Sequence, residues 1–309
     1  MATDEQEPYT QEHLAAVIRS AVAYVANEAV VLGNYERIQT DQFPQLWPLN
    51  DDGQFDKRMN LVVRHLGGPP EHYLLRTGET APLGDLYPET SMAEVFDVFK
   101  RARKSVIRAH LFMVGSKMLI EQPEMIEQPE SPEVAAFLVK NAQAAFWEHA
   151  EAAYIRLYSF WDRIGQVLDF AFFNIRKFDH NGFNAVMNRI YWNAYPMNSS
   201  LGKSISWKQL RNFQNSNNED GLQFLLQRRN LLIHSLHLHP LKEEEEEDVF
   251  KSQFNHLDAA HREKIRPHDP AHEVEILIGQ LNKASLLFRD FLTLVELSPS
   301  RKYVHQSRI

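Results

Sequence analysis

The sequence predicts an all-α protein. A bundle of four to five helices occupies residues 131–297. An N-terminal helical region carrying a loop-rich insertion fills 1–130, and a basic tail runs over 298–309. Two observations predict this. Apolar residues recur every three or four positions over long stretches, and prolines and glycines collect between the periodic runs rather than within them. The chain has 309 residues, of which 44% are hydrophobic and 24% charged, a composition that supports a sizeable core.

In chain order, Thr10 is placed to cap a helix over 11–32, with Leu14, Val17, Ile18, Ala21 and Val25 on one face and Gly33-Asn34 as its stop. Residues 38–88 are rich in proline and glycine and leave room only for short strands at 61–63 and 73–75. Ser91 and Glu94 have capping-box spacing, so a helix should run from there to about residue 119, with Val95, Val98, Phe99, Ala102, Val106, Ala109 and Met113 inward. An acidic, proline-punctuated linker spans 122–130. Ser131 followed by Pro132 then opens the longest helix, to about residue 175. Phe146, Ala150, Ala153, Leu157, Trp161, Ile164, Leu168 and Phe172 step along it by threes and fours. Gly165 falls mid-helix, where it costs up to ~1 kcal/mol relative to alanine, so another segment should approach closely there. Beyond a turn at 179–182, residues 183–192 read as a short helix, and 195–218 as polar and irregular with one helical turn at 207–213. Residues 221–240 form an amphipathic helix ended by Pro240, with Leu222, Leu225, Leu226, Leu232, Ile233 and Leu236 as its buried stripe. Asp269-Pro270 caps the last helix, in which Leu277, Leu281, Ala284, Phe288, Phe291 and Val295 point inward.

Bulk properties exclude several functions. The formal charge of -8 argues against a broad polyanion binder, so any nucleic-acid chemistry must come from a local basic cleft. With no cysteine there is no disulfide framework, thiolate metal site or thiol nucleophile. Residues 1–8 are acidic and lack the features of a secretion signal. No run reaches the roughly 20 apolar residues of a membrane helix. The expectation is a cytoplasmic chain without a membrane partner. No glycine-rich phosphate loop, Ser/His/Asp order or carboxylate pair stands out. His234, His237 and His239 are spaced by three and two, which does not gather them on one helical face. Neither a metal nor a cofactor is expected. Glu243 to Glu247 form a solvated acidic run.

The chemistry concentrates in Arg228-Arg229-Asn230-Leu231-Leu232-Ile233-His234. Arginine offers a permanently charged fork that fits phosphate, and histidine moves protons near neutral pH. Asn230 and His234 are four apart and share a helix face. Arg229 and His234 are five apart, about 140° around an ideal helix and about 7.5 Å along it. Two-fold packing of this helix would bring Arg229 of one chain toward His234 of another. Such a cleft could cleave RNA by transesterification. Histidine handles the protons of the 2′-hydroxyl and the leaving oxygen, arginine stabilises the phosphate charge, and the substrate supplies its own nucleophile. The catalytic candidates are Arg229, His234 and Asn230. Arg228, with five residues between it and His234, also satisfies the spacing, so the sequence leaves open which arginine is the functional one. Secondary candidates for substrate contact are Asp162 and Ser159 on the long helix and Lys208 and Arg211. The last two, with Lys203 and Trp207, make either a stacking patch for single strands or a buried tryptophan beside solvated charges.

Arg229 to His234 resembles the Arg-(x4 to x6)-His signature of the HEPN superfamily, with a polar residue after the arginine. The aromatic-rich stretch from Tyr158 to Gln166 is similar to a core helix of some bacterial HEPN branches. The resemblance covers residues 131–297 and leaves 1–130 unexplained. It implies a helical bundle that forms a homodimer through the motif helix, and metal-independent RNA cleavage as a toxin or antiphage effector, with an antitoxin or defence complex as partner. The alternative is a non-catalytic HEPN-like module that binds a nucleotide or a protein.

Overall fold

The computed structural model describes residues 11–47, 51–67, 86–122, 132–173, 175, 182–234 and 269–298. Thr10, the linker at 123–130, the Ser131 cap, the strand at 73–75, most of the turn at 179–182, His237, His239, Pro240, the Glu243 to Glu247 run and the tail from 299 onward lie outside the described residues. Among the described residues every regular element is helical.

The chain divides into two units at Gln42/Phe43. In the first, α1 (Gln11–Ile38) is followed by a 3-10 turn at Thr40–Gln42. Apolar side chains lie all round this helix. Ala15–Ile38 is long and apolar enough to cross a membrane by length and composition, with a mean hydropathy of 1.5. The sequence reading had found no such run. Its alanines and valines carry the segment over Arg19 and Glu28. The mostly buried core helix of a soluble protein and a signal sequence near an N-terminus pass the same test, and 6% of this window is buried.

The second unit contains α2 (Gln54–Gly67), α3 (Tyr87–Glu121), α4 (Pro132–Phe173), α5 (Phe183–Arg189) with a π-helical extension at Ile190–Ala194, α6 (Ser199–Lys203), α7 (Ile205–Asn215), α8 (Leu222–His234) and α9 (Pro270–Glu296). The sequence drew a boundary near residue 130. The compact units divide far earlier because α3 is packed along its length on α4. The pair is antiparallel: Glu94 meets Arg163 at 3.4 Å, the Phe99 and Phe160 rings lie 5.4 Å apart, and those of Phe112 and His149 lie 5.5 Å apart. On a second side runs α9, with Glu273 beside Tyr154 and Phe288 beside Phe96.

Several elements differ from the sequence reading. Residues 61–63 are helical, because Phe55, Met59, Val62 and Leu66 make an apolar stripe and the Asp51 carboxylate accepts the Phe55 N–H at 2.6 Å. Ser91 is no cap. Pro88 sits in the first turn of α3, where its missing N–H costs nothing, and the Ser91 hydroxyl donates back to the Tyr87 carbonyl at 2.6 Å. The region around 195–218 is more ordered than expected. Asn198 caps α6, Ser204 caps α7 by accepting the Trp207 N–H at 3.2 Å, and Trp207, Leu210 and Phe213 are buried.

Other elements match. α4 starts at Pro132. Asp269 caps α9 by accepting from Ala271 N at 3.0 Å and His272 N at 3.3 Å. All six inward residues of α9 are buried. Gly165 earns its place: a Cβ there would lie 2.9 Å from the Phe183 Cα. That approach seats the start of α5 on α4. Around it the Trp161 ring meets Phe213 at 4.3 Å and Phe183 at 5.1 Å. Each fully buried Phe or Leu here contributes ~1.5–3 kcal/mol.

Candidate active site between α4 and α8

The helix α8 packs on α4, and its two consecutive arginines go to different places. The buried stripe of α8 is Leu222, Phe224, Leu225, Arg228 and Leu231. Leu226 and Leu232 are only half-buried and Ile233 is 45% exposed, so the expected stripe is rotated beyond Leu222 and Leu225, while Leu236 lies outside the described residues. A charged residue stands in the middle of the real one.

Arg228 and Glu273 are both 0% exposed, and the guanidinium donates to Glu273 Oε1 at 2.6 Å. The Tyr154 hydroxyl donates to Glu273 Oε2 at 2.5 Å. The Arg228 guanidinium also lies over the rings of Phe224 at 5.3 Å and Tyr154 at 5.9 Å. Burial, then the Glu273 carboxylate, push the Tyr154 phenol well above its ordinary pKa. This is an internal clamp between α8, α9 and α4. Arg228, a candidate for substrate contact from its spacing, is enclosed by protein and has no route to a substrate.

Arg229 points the other way. It is partly exposed, its guanidinium lies 5.4 Å from the Tyr158 ring centroid, and its Nη1 donates to the exposed Asn230 Oδ1 at 3.0 Å. Asp162 is one turn beyond Tyr158 on α4. Its Oδ1 accepts the Phe183 N–H at 3.4 Å. Burial raises the Asp162 carboxyl to about 6. The Phe183 N–H, Arg229 and Arg163 act in the opposite sense. The Tyr158 phenol is also raised, by burial first and by Asp162 next. Gly182 completes the wall. A Cβ there would collide with the Asp162 carboxylate and lie 3.0 Å from the Tyr158 hydroxyl. A side chain at 182 would push the Asp162 carboxylate and the Tyr158 hydroxyl aside.

Arg229 and Asp162, chosen from sequence, therefore come together beside Tyr158, and Asn230 joins them through its bond to Arg229. His234 ends α8 one turn beyond Asn230. Ser159 is tied to its own helix, donating to the Ile155 carbonyl at 2.8 Å. Arg211 bonds to Asn188 Oδ1 at 2.7 Å and Gln214 Oε1 at 2.5 Å on the side of α5 and α7, and Lys208 is exposed on the same helix. Trp207 is buried beside them.

Sequence reasoning missed Tyr158, Gly182 and Glu273. Tyr158 had a signal, since it precedes Asp162 by one turn on one face. Glu273 had none, because it lies 45 residues from Arg228. The chain matches no family model, no curated protein and no solved structure.

Proposed function

We propose that the protein is a metal-independent endoribonuclease of HEPN type that acts as a homodimer through α8, in a toxin or antiphage-defence role. The observation that carries this reading is the sorting of the two arginines. One is sequestered in the core, and the other is held on a tyrosine face, partly open to solvent, beside a polar amide and a carboxyl that burial raises to about 6. That is the arrangement a phosphodiester needs. Arg229 holds the scissile phosphate and stabilises the charge that builds on it. His234 exchanges protons with the 2′-hydroxyl and the leaving oxygen, and Asn230 orients the Arg229 fork. A phosphate arriving beside Asp162 raises its pKa further, so the carboxyl takes a proton and donates to the phosphate instead of repelling it. The exposed Ile233, between Asn230 and His234 on the sequence, favours a second copy across α8.

The test is cleavage of a mixed RNA pool in EDTA by wild type, Arg229→Ala and His234→Ala. The reading requires wild-type cleavage leaving 2′,3′-cyclic phosphate ends and loss of cleavage in both variants. Intact RNA with the wild type would instead favour a non-catalytic module that binds a nucleotide or a protein partner.

A further inference from the structure

A second group of side chains lies at the far end of α5. The helix passes into a π-helical turn, closed by the Tyr195 N–H donating to the Ile190 carbonyl at 2.8 Å. Such turns carry an extra residue and re-aim side chains, and they recur at functional sites. Here the turn sets Tyr191, Trp192 and Tyr195 in one cluster. The rings of Tyr191 and Trp192 are 4.9 Å apart, Tyr191 and Tyr195 5.6 Å, and Tyr195 and Trp207 5.7 Å. The Arg211 guanidinium lies across the cluster, 5.0 Å from the Tyr191 centroid and 5.8 Å from that of Trp207. Asn188 and Gln214 fix it in that position.

The cluster is not sealed. Trp192 is 72% exposed, and an indole that large left in water has a poor structural rationale of its own. Lys208 lies one turn before Arg211 on α7 and is exposed, as is Lys203. An aromatic face flanked by cations fits one ligand chemistry above others: unpaired nucleobases for the ring and phosphates for the cations. A protein partner would use the ring but has no need of the cations. We infer that Trp192 and Tyr191, with Arg211 and Lys208, form a stacking shelf that binds single-stranded RNA. The shelf is tied to the candidate active site by α5, whose first residue touches Asp162. Trp192 lies nine residues after Phe183, about 14 Å of helical rise. A single strand stacked on Trp192 therefore lies within a few nucleotides of Asp162. This deepens the ribonuclease reading by supplying the surface that holds the substrate, and the binding itself does not require cleavage.

The experiment is fluorescence anisotropy of a short, labelled, 2′-O-methyl single-stranded oligonucleotide with the full-length chain. That probe has no free 2′-hydroxyl and cannot be cut by the proposed route. Trp192→Ala removes a surface side chain and should weaken binding about tenfold. Lys208→Glu should weaken it and lower the slope of log affinity against log salt by about one. Lys117→Glu, an exposed charge on α3 that belongs to neither site, should bind within a few-fold of wild type. A wild type that binds but does not cut natural RNA keeps the shelf and overturns the ribonuclease reading. Cleavage with a Trp192→Ala affinity equal to wild type overturns the shelf alone. Equal affinity for the matching duplex also overturns it, since charge would then suffice. A wild type that ignores the oligonucleotide but self-associates through Trp192 overturns it in favour of a protein-docking face.

Discussion

Arg228 and Arg229 are neighbours in sequence and opposites in setting. Arg228 has surrendered its hydration to one carboxylate and two aromatic rings inside the bundle. Arg229 keeps solvent on one side and rests on Tyr158 on the other. A buried pair is costly to make and costlier to break, whereas a half-exposed guanidinium with no ion-pair partner at contact distance among the described residues is available for a ligand. One residue along a helix turns the side chain by about 100°, enough to carry the same functional group from core to cleft.

The largest expected effect breaks the buried side of this comparison. Arg228→Ala or Glu273→Ala leaves an uncompensated charge and should lower unfolding free energy by ~3–5 kcal/mol in urea denaturation, while Arg229→Ala stays within about 0.5 kcal/mol of wild type. Replacing Arg228 and Glu273 together with Met and Leu should recover most of the loss, because an apolar pair of similar volume fills the same space.

Next in size is Gly165→Ala. The new methyl group meets backbone at Phe183, which has no flexible end to move aside, so a loss of ~1–3 kcal/mol is expected in the same assay. The shift of α5 should also be visible as a changed Asp162 titration.

The third effect is in pH and sharpens the exposed side. The folded-state pKa of Asp162, about 6, lies above its ordinary 3.8, so the folded protein binds this proton more tightly than the unfolded chain does. Its contribution to stability is full below about pH 4 and is lost as pH rises to about 6. Asp162→Asn should therefore be the more stable protein above about pH 6, with the gap closing on acidification. In Arg229→Ala the Asp162 pKa should rise further, since Arg229 favours its charged form, and carboxyl NMR shifts would read this directly. Arg229→Ala without any effect on Asp162 would separate two groups placed here in one site.

Much of the frame was legible in the sequence. The periodicity along α4 and α9, Pro132 and the Asp269 cap are local signals, and local signals survive into the fold. What failed was non-local. Arg228 reads as surface in any hydrophobicity pattern, because the partner that permits its burial is on another helix. The error rotated the predicted stripe of α8 toward Leu232 and Ile233. α2 was too short and too interrupted to outweigh the prolines and glycines around it. The site was legible where residues share a helix turn, as Asn230 and Arg229 do. It was not where backbone from elsewhere closes it, as at Gly182.

The division of labour between the arginines is tested most directly by one variant read two ways. Arg229→Ala is measured for RNA cleavage in EDTA and for its urea unfolding midpoint in the same preparation. The account predicts a fall in cleavage of at least about 100-fold with stability within about 0.5 kcal/mol of wild type. Undiminished cleavage, or a loss of activity that merely follows loss of fold, would contradict it.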